Sequence, residues 1–313
     1  MTAVAERPDT APAAPRGGRG ITHVLVHALV ALVSAAGVAA VYWICVRHPL
    51  GQVVDSMVMN GADLDHPRVT SVLRRALNGT TLVSLVAVCL AAATIGVMRR
   101  RKDLAAAAAL LVLGANATSQ LLKSRLTRPD LDGFDMPNSF PSGHTTAAAS
   151  VAFALILVLP FAIRGTVALA GAAYVLIIAV ATIWAGWHRP SDTIAGLLVV
   201  LAWGALASAL VRAGRVRIAG VKARPNRYVM LLFAVAGGIS GVLALLGLGA
   251  IASADRVGRI VDYSGRFAFA AGAFAVAAAV AVTFTVWVRL AAGDRSTSPE
   301  GEPVPASAHS GGI

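Results

Sequence analysis

Charge is what this sequence most lacks. Only 13% of its 313 residues are Asp, Glu, Lys or Arg, about half of the roughly 25% carried by a soluble domain. The deficit is gathered into long uncharged runs, which excludes a soluble globular enzyme and leaves an integral membrane protein. Cysteine is scarcer still. Cys45 and Cys89 both fall inside apolar runs, where they act as small apolar residues; neither a disulfide framework nor a thiolate metal site can be argued from them. Also missing are a nucleotide-binding glycine loop and any repeat of the soluble type. The net charge of +12 is not read as a nucleic-acid footprint, because in a polytopic chain loop charge sets orientation.

What the chain has is apolar length. A spanning helix needs roughly 20 apolar residues, and eight segments qualify, over 21–46, 79–98, 104–122, 143–163, 166–187, 192–211, 228–251 and 267–288. The expected fold is therefore an all-α polytopic helix bundle of about eight transmembrane helices. The first span is too long for a signal-peptide core and reads as an anchor. Residues 1–20 and 289–313, rich in Ala, Pro, Gly, Ser and charge, read as disordered tails. Basic residues at 99–102, at Arg164 and from Arg212 to Arg227 favour placing both termini in the cytoplasm. In that orientation Trp43, Trp184 and Trp187 lie near the outer interface and Trp287 near the inner one.

Two polar strings interrupt the grease: Pro141-Ser142-Gly143-His144 and His188-Arg189-Pro190-Ser191-Asp192. Ionisable groups at the ends of membrane helices are expensive to keep unless they act. The third span ends at Lys123, the fourth begins at His144, the fifth ends at His188 and the sixth begins at Asp192, so all four points fall on the outer side. Ser142 and Gly143 precede a helix whose first N–H groups are free and whose dipole is positive, a ready anion site. Lys123, Arg125 and Arg128, placed in the loop 123–140, add full positive charge. Two histidines can divide nucleophile and proton donor between them. Asp192, four residues after His188, can hold one ring nitrogen and leave the other free to attack. An anion cradle with a nucleophile–acid pair, and no carboxylate cluster for a metal, points to phosphoryl transfer through a phosphohistidine.

At these residues the chain resembles the type 2 phosphatidic acid phosphatase family, the membrane lipid phosphate phosphatases related to vanadium haloperoxidases. The family signature runs Lys-x6-Arg-Pro, Pro-Ser-Gly-His and Ser-Arg-x5-His-x3-Asp. The second part matches in full at 141–144, and the His-x3-Asp half of the third matches at His188 and Asp192. The resemblance covers about 79–211 and implies a six-span phosphatase core over 21–211. Residues 212–288, a basic loop and two further spans, lie outside it. It implies His188 as nucleophile, Asp192 as its orienting partner and His144 as general acid. Lys123, Ser142 and Gly143 would bind the phosphate of a lipid substrate in the plasma membrane, without metal or cofactor.

Two parts of the signature depart from the pattern. Asp130 stands where the first motif has Arg, the Arg-Pro pair being Arg128-Pro129, and Ala181-Thr182 stand where the third has Ser-Arg. Thr182 stands at the arginine position of the third motif and so removes a charge from the site. Arg128 and Arg189, with Arg125 nearby, are the candidates to restore the phosphate grip. Two other readings stay open: transfer of the phosphoryl group to an alcohol, and a non-catalytic lipid-phosphate binder.

The remaining polar features have plainer readings. His23 and His27 have the spacing of a helical metal pair but no third ligand. The outer loop 47–78 reads as a connector or a partly helical segment with Val69, Val72, Leu73, Ala76 and Leu77 on one face. Gly237-x3-Gly241 has the spacing of a helix-packing face, expected to serve within the chain. Nothing in the sequence fixes the oligomeric state.

Overall fold

Uncharged runs in this chain become helices, because a backbone in lipid must satisfy its own N–H and C=O groups. The computed structural model describes residues 17–62, 101–133, 136–214, 225–256 and 265–292, with single positions between 71 and 98. Among them are eight α-helices and no strand: α1 (Gly17–Val41), α2 (Pro49–Asn60), α3 (Lys102–Arg125), α4 (Gly143–Val158), α5 (Phe161–Trp184), α6 (Pro190–Gly214), α7 (Arg227–Arg256) and α8 (Gly265–Ala292). A π-helical turn, Tyr42–Val46, extends α1. Six helices are long and apolar enough to cross a membrane: α1 with its π turn, α3, α5, α6, α7 and α8. The expected second span at 79–98 falls almost wholly outside the described residues. So do the outer parts of both tails and the proposed apolar face at Val69, Val72, Leu73, Ala76 and Leu77.

Three expectations are corrected. The fourth and fifth spans do not divide at 164–165. Pro160 has no N–H to continue a helix, so α4 stops at Val158 and α5 begins at Phe161 with Pro160 as its N-cap. At 16 residues α4 is shorter than a full span. Arg164, counted among the loop charges, is buried in the first turn of α5. Its Nε, Nη1 and Nη2 donate to the carbonyls of Leu159, Ala291 and Leu157 at 2.8–3.0 Å, so it ties three helix ends together. Trp287 is no interfacial anchor. It is fully buried, stacked on Phe153 at 4.9 Å and donating through Nε1 to the Phe153 carbonyl.

The bundle is built around α6. Its apolar window is 61% buried, against 17% for α1 and for α7, so α6 is the centre and those two lie at the rim. It packs against α1, α3, α4 and α8. Gly196 lets it approach α4: a Cβ there would stand 2.9 Å from the Ser142 carbonyl and 3.0 Å from Thr146 Oγ1. Outside the core segment, α7 packs on α8, where a Cβ on Gly237 would meet Ala281 at 2.9 Å. The small-residue face at Gly237 thus serves packing within the chain, as expected. His27 donates from Nδ1 to the carbonyl of His23 at 2.7 Å, and among the described residues no three metal-ligating side chains are grouped.

The largest surprise is α2. Inside the supposed connector 47–78, residues 49–60 form a helix with Pro49 at its first position, where a missing N–H costs nothing. Gln52, Asp55, Ser56 and Met59 recur at helical spacing and are all buried. The helix packs on α8 and the π turn, and its polar face meets the loops around the two strings.

Candidate functional site

The chain ends of α3, α4, α5 and α6 meet at one end of the bundle around a cleft of about 420 Å³. Its walls include Lys123, His144, His188 and Arg189, with Met59, Met136, Pro137 and Trp187 supplying apolar surface. Four of the site residues named from the sequence are thus brought together. Asp192, Arg128 and Ser142 stand behind the wall, and exposed Arg125 does not line the cleft.

Local structure explains each position. Ser142 is the N-cap of α4: its Oγ accepts the Thr145 N–H at 3.3 Å, as a capping serine does. The N–H groups of Gly143 and His144 are then the remaining orphans of that first turn. The Ser142 N–H donates to the Asp192 carbonyl at 2.8 Å, so the start of α4 is tied to the start of α6. On the other side α5 stops at Trp184, and Gly186 takes φ 69° to turn the chain, a conformation that suits glycine. The Thr182 carbonyl accepts the N–H groups of Trp187 and His188, which fixes the nucleophile candidate's backbone.

Asp192 is fully buried and receives four donors. Oδ2 accepts from Ser139 Oγ at 2.5 Å and from the Arg189 N–H at 3.0 Å, with His188 Nδ1 at 3.4 Å. Oδ1 accepts from Arg128 Nη2 at 3.0 Å. The contact to the Arg189 N–H is the return half of a capping box, with Pro190 at the first helical position. A carboxylate at His188 Nδ1 favours the tautomer that leaves Nε2 unprotonated. His144 lies opposite, its ring centroid 6.2 Å from that of His188 and 5.6 Å from the Trp187 ring.

Two cations face this pair. The Lys123 ammonium makes no hydrogen bond to the described residues, and Lys123 sits in the last turn of α3 instead of a loop. Its backbone is tied down by Asn138, whose side chain donates to the Lys123 and Leu126 carbonyls. Arg189 donates from Nε to Ser56 Oγ at 2.9 Å, while Nη1 and Nη2 have no acceptor among the described residues. Arg128 is occupied differently. One nitrogen holds Asp192, its Nε and Nη1 are buried with no acceptor among the described residues, and its side chain is 3% exposed. Asp130, at the first motif's arginine position, is exposed and accepts the Gly133 N–H at 2.8 Å, closing its own turn.

Thr182 lies within α5, which ends before His188. Thr182 is fully buried and its hydroxyl donates to the Ala179 carbonyl, so it offers the cleft no donor.

Several participants were not anticipated. Ser139 holds Asp192, Trp187 flanks His144, and α2 contributes Gln52, Asp55 and Ser56. Asp55 accepts the Ser191 N–H at 3.0 Å and pairs with the Ser191 hydroxyl. Burial, and then the nearby Asp192, push the Asp55 carboxyl up to about 7, against the pull of its Ser191 hydrogen bonds. An acid within the apolar stretch Val53–Met59 was the available signal.

Residues 70–215 match the model of the PAP2 superfamily. No curated protein and no solved structure matches the chain.

Proposed function

We propose, from the match of residues 70–215 to the PAP2 superfamily model, that the chain is a membrane lipid phosphate phosphatase, acting on phosphatidic acid or prenyl diphosphates from the outer face. The observation that carries this reading is the pairing of His144 with His188 across a cleft that also holds Lys123 and Arg189. Reacting atoms in a productive complex stand about 3–3.5 Å apart. Rings with centroids 6.2 Å apart can both reach one phosphoryl group.

In the first step His188 Nε2 attacks phosphorus and the bond to the lipid oxygen breaks. His144 gives its proton to that leaving oxygen. In the second step water attacks the phosphohistidine and returns a proton to His144, and the N–P bond breaks to release inorganic phosphate. Asp192 holds Nδ1–H of His188 throughout and stabilises the charge that forms on the ring. Lys123, the Arg189 guanidinium and the free N–H groups at Gly143 and His144 face the phosphoryl oxygens, where charge grows in the transition state. Ser142 serves by capping that turn. Arg128 works at one remove by anchoring Asp192. The outer location rests on the basic residues of the opposite side, and the Met59, Met136 and Trp187 surfaces suit a lipid chain.

The test is phosphate release by purified protein from phosphatidic acid and from a prenyl diphosphate, with chelator present, beside His188→Ala. Release that disappears in the variant is the expected result, with a bell-shaped pH profile because acid and nucleophile need opposite protonation states. Asp130 and Thr182, standing where the family has arginines, favour a second reading, a non-catalytic lipid-phosphate binder. Binding of substrate without release would establish that reading, and release only with an added alcohol would mean phosphotransfer.

A further inference from the structure

We propose that α2, which lies outside the family segment, aims Arg189 at the phosphate, with Ser56 and Asp55 as positioning residues; the inference rests on the phosphate-site reading of the cleft. A buried polar face on a helix is costly unless each group is bonded. On α2 every such group is bonded to a segment that borders the site. Gln52 donates from Nε2 to the carbonyls of Val46 and Pro129 and accepts the Leu131 N–H, at 2.6, 2.7 and 3.1 Å. Asp55 grips Ser191 by its N–H and hydroxyl. Ser56 accepts from Arg189 Nε and donates to Asp132 Oδ2. Met59, one turn on, enters the cleft wall.

The consequence is geometric. A guanidinium is a rigid plane with five donors. The Arg189 main-chain N–H is held by Asp192 and its Nε by Ser56, which leaves Nη1 and Nη2 as a fork with no acceptor among the described residues, on a residue of the cleft wall. Such a fork suits two oxygens of one phosphate. Thr182, the position where the family has arginine, is closed on its own helix. The charge missing there enters from the other side of His188, and α2 fixes its direction. Asp55 makes that direction firm by clamping Ser191 in the first turn of α6, two residues after Arg189.

The experiment titrates inorganic phosphate into the full-length protein in detergent by calorimetry, for the parent, Ser56→Ala, Ser56→Thr, Arg189→Ala and Ser56→Ala with Arg189→Ala. Ser56→Ala is expected to weaken binding about 10-fold, the worth of one charge-assisted hydrogen bond. Ser56→Thr, which keeps the hydroxyl, restores it. On the Arg189→Ala background Ser56→Ala adds nothing, since the two residues act as one unit. Should Ser56→Ala not fold, Asp132→Asn weakens the same hydroxyl chain from its other end. The inference is overturned if Ser56→Ala binds phosphate like the parent, if its loss persists in full without Arg189, or if the parent binds no phosphate. Phosphate release from phosphatidic acid is read on the same samples. Coupled phosphate binding without release would overturn the hydrolytic reading and leave the positioning role standing.

Discussion

Replacing Asp192 by Asn changes one atom and should separate the chemistry of this site from its stability. Asp192 is fully buried and accepts from Ser139 Oγ, the Arg189 N–H, His188 Nδ1 and Arg128 Nη2. An amide oxygen has two lone pairs and its NH2 accepts nothing, so four donors cannot be served. If the oxygen stays on the His188 side, the NH2 faces Arg128 and leaves a buried guanidinium without its counter-charge, at about 3–5 kcal/mol. If the amide flips, the NH2 donates to His188 Nδ1 and forces the proton onto Nε2, the atom proposed to attack. An Asp→Asn exchange behind a catalytic histidine of the serine-hydrolase triad lowers kcat about 10⁴-fold, and a loss of that order is expected here. The assay pairs steady-state phosphate release with the unfolding midpoint in detergent. Adding Arg128→Met to Asp192→Asn removes the orphaned charge, so the double variant should be more stable than Asp192→Asn alone yet no more active. Asp192→Asn retaining more than about a tenth of parental kcat would refute the assignment of Asp192 and, with it, of His188 as nucleophile.

Three further outcomes follow from the same geometry. Lys123→Met removes a charge-assisted contact worth about 1.5–3 kcal/mol, so kcat/KM should fall about 10- to 150-fold; an unchanged value on phosphatidic acid would remove Lys123 from the phosphate site. Asp55 has its carboxyl raised to about 7 by burial first and by Asp192 second, against about 3.9 in the unfolded chain. Its stabilising contribution is therefore complete below the unfolded value and lost as pH rises through about 7. With Asp192, Arg128 and Ser191 as its charged and hydrogen-bonded neighbours, Asp55→Asn should flatten the fall in unfolding midpoint between pH ~4 and pH ~7; equal slopes in the two proteins would refute it. Gly196→Ala places a Cβ 2.9 Å from the Ser142 carbonyl, which must separate α4 from α6 and move His144 from His188. Activity should drop about 10²-fold while a variant at exposed Gly238, where a Cβ meets nothing, keeps parental rates.

The helices were legible because lipid makes composition decisive: a run without charge has one backbone solution. Their ends were less so. Pro160 is a stronger stop than Arg164, since proline lacks a donor while a buried arginine can be satisfied by three carbonyls. Reading Arg164 as a loop charge therefore shifted the boundary between α4 and α5. Trp287 shows the same failure from the apolar side. An indole near a helix end is at home either at an interface or in a core, and only the Phe153 ring beneath it decides.

The grouping of the candidate site residues was legible for a different reason. His144 and the set His188, Arg189 and Asp192 each sit beside their own helix start, so short spacing carries the information: an N-cap, a capping box, a carboxylate four residues from its imidazole. What spacing cannot carry is a bond to a distant segment. Arg189 reads as a cation at a helix end until Ser56 takes its Nε. Arg128 reads as a phosphate ligand until its Nη2 is found on Asp192. These two arginines stand within a few residues of the motif and yet divide into different roles, one lining the cleft and one behind it. The division follows from where the acids are. Asp192 draws Arg128 inward, and with that carboxylate already occupied, Arg189 has its Nη1 and Nη2 left for an anion from outside. A chain without α2 would still place both arginines near His188, but nothing would hold the Arg189 fork to one direction.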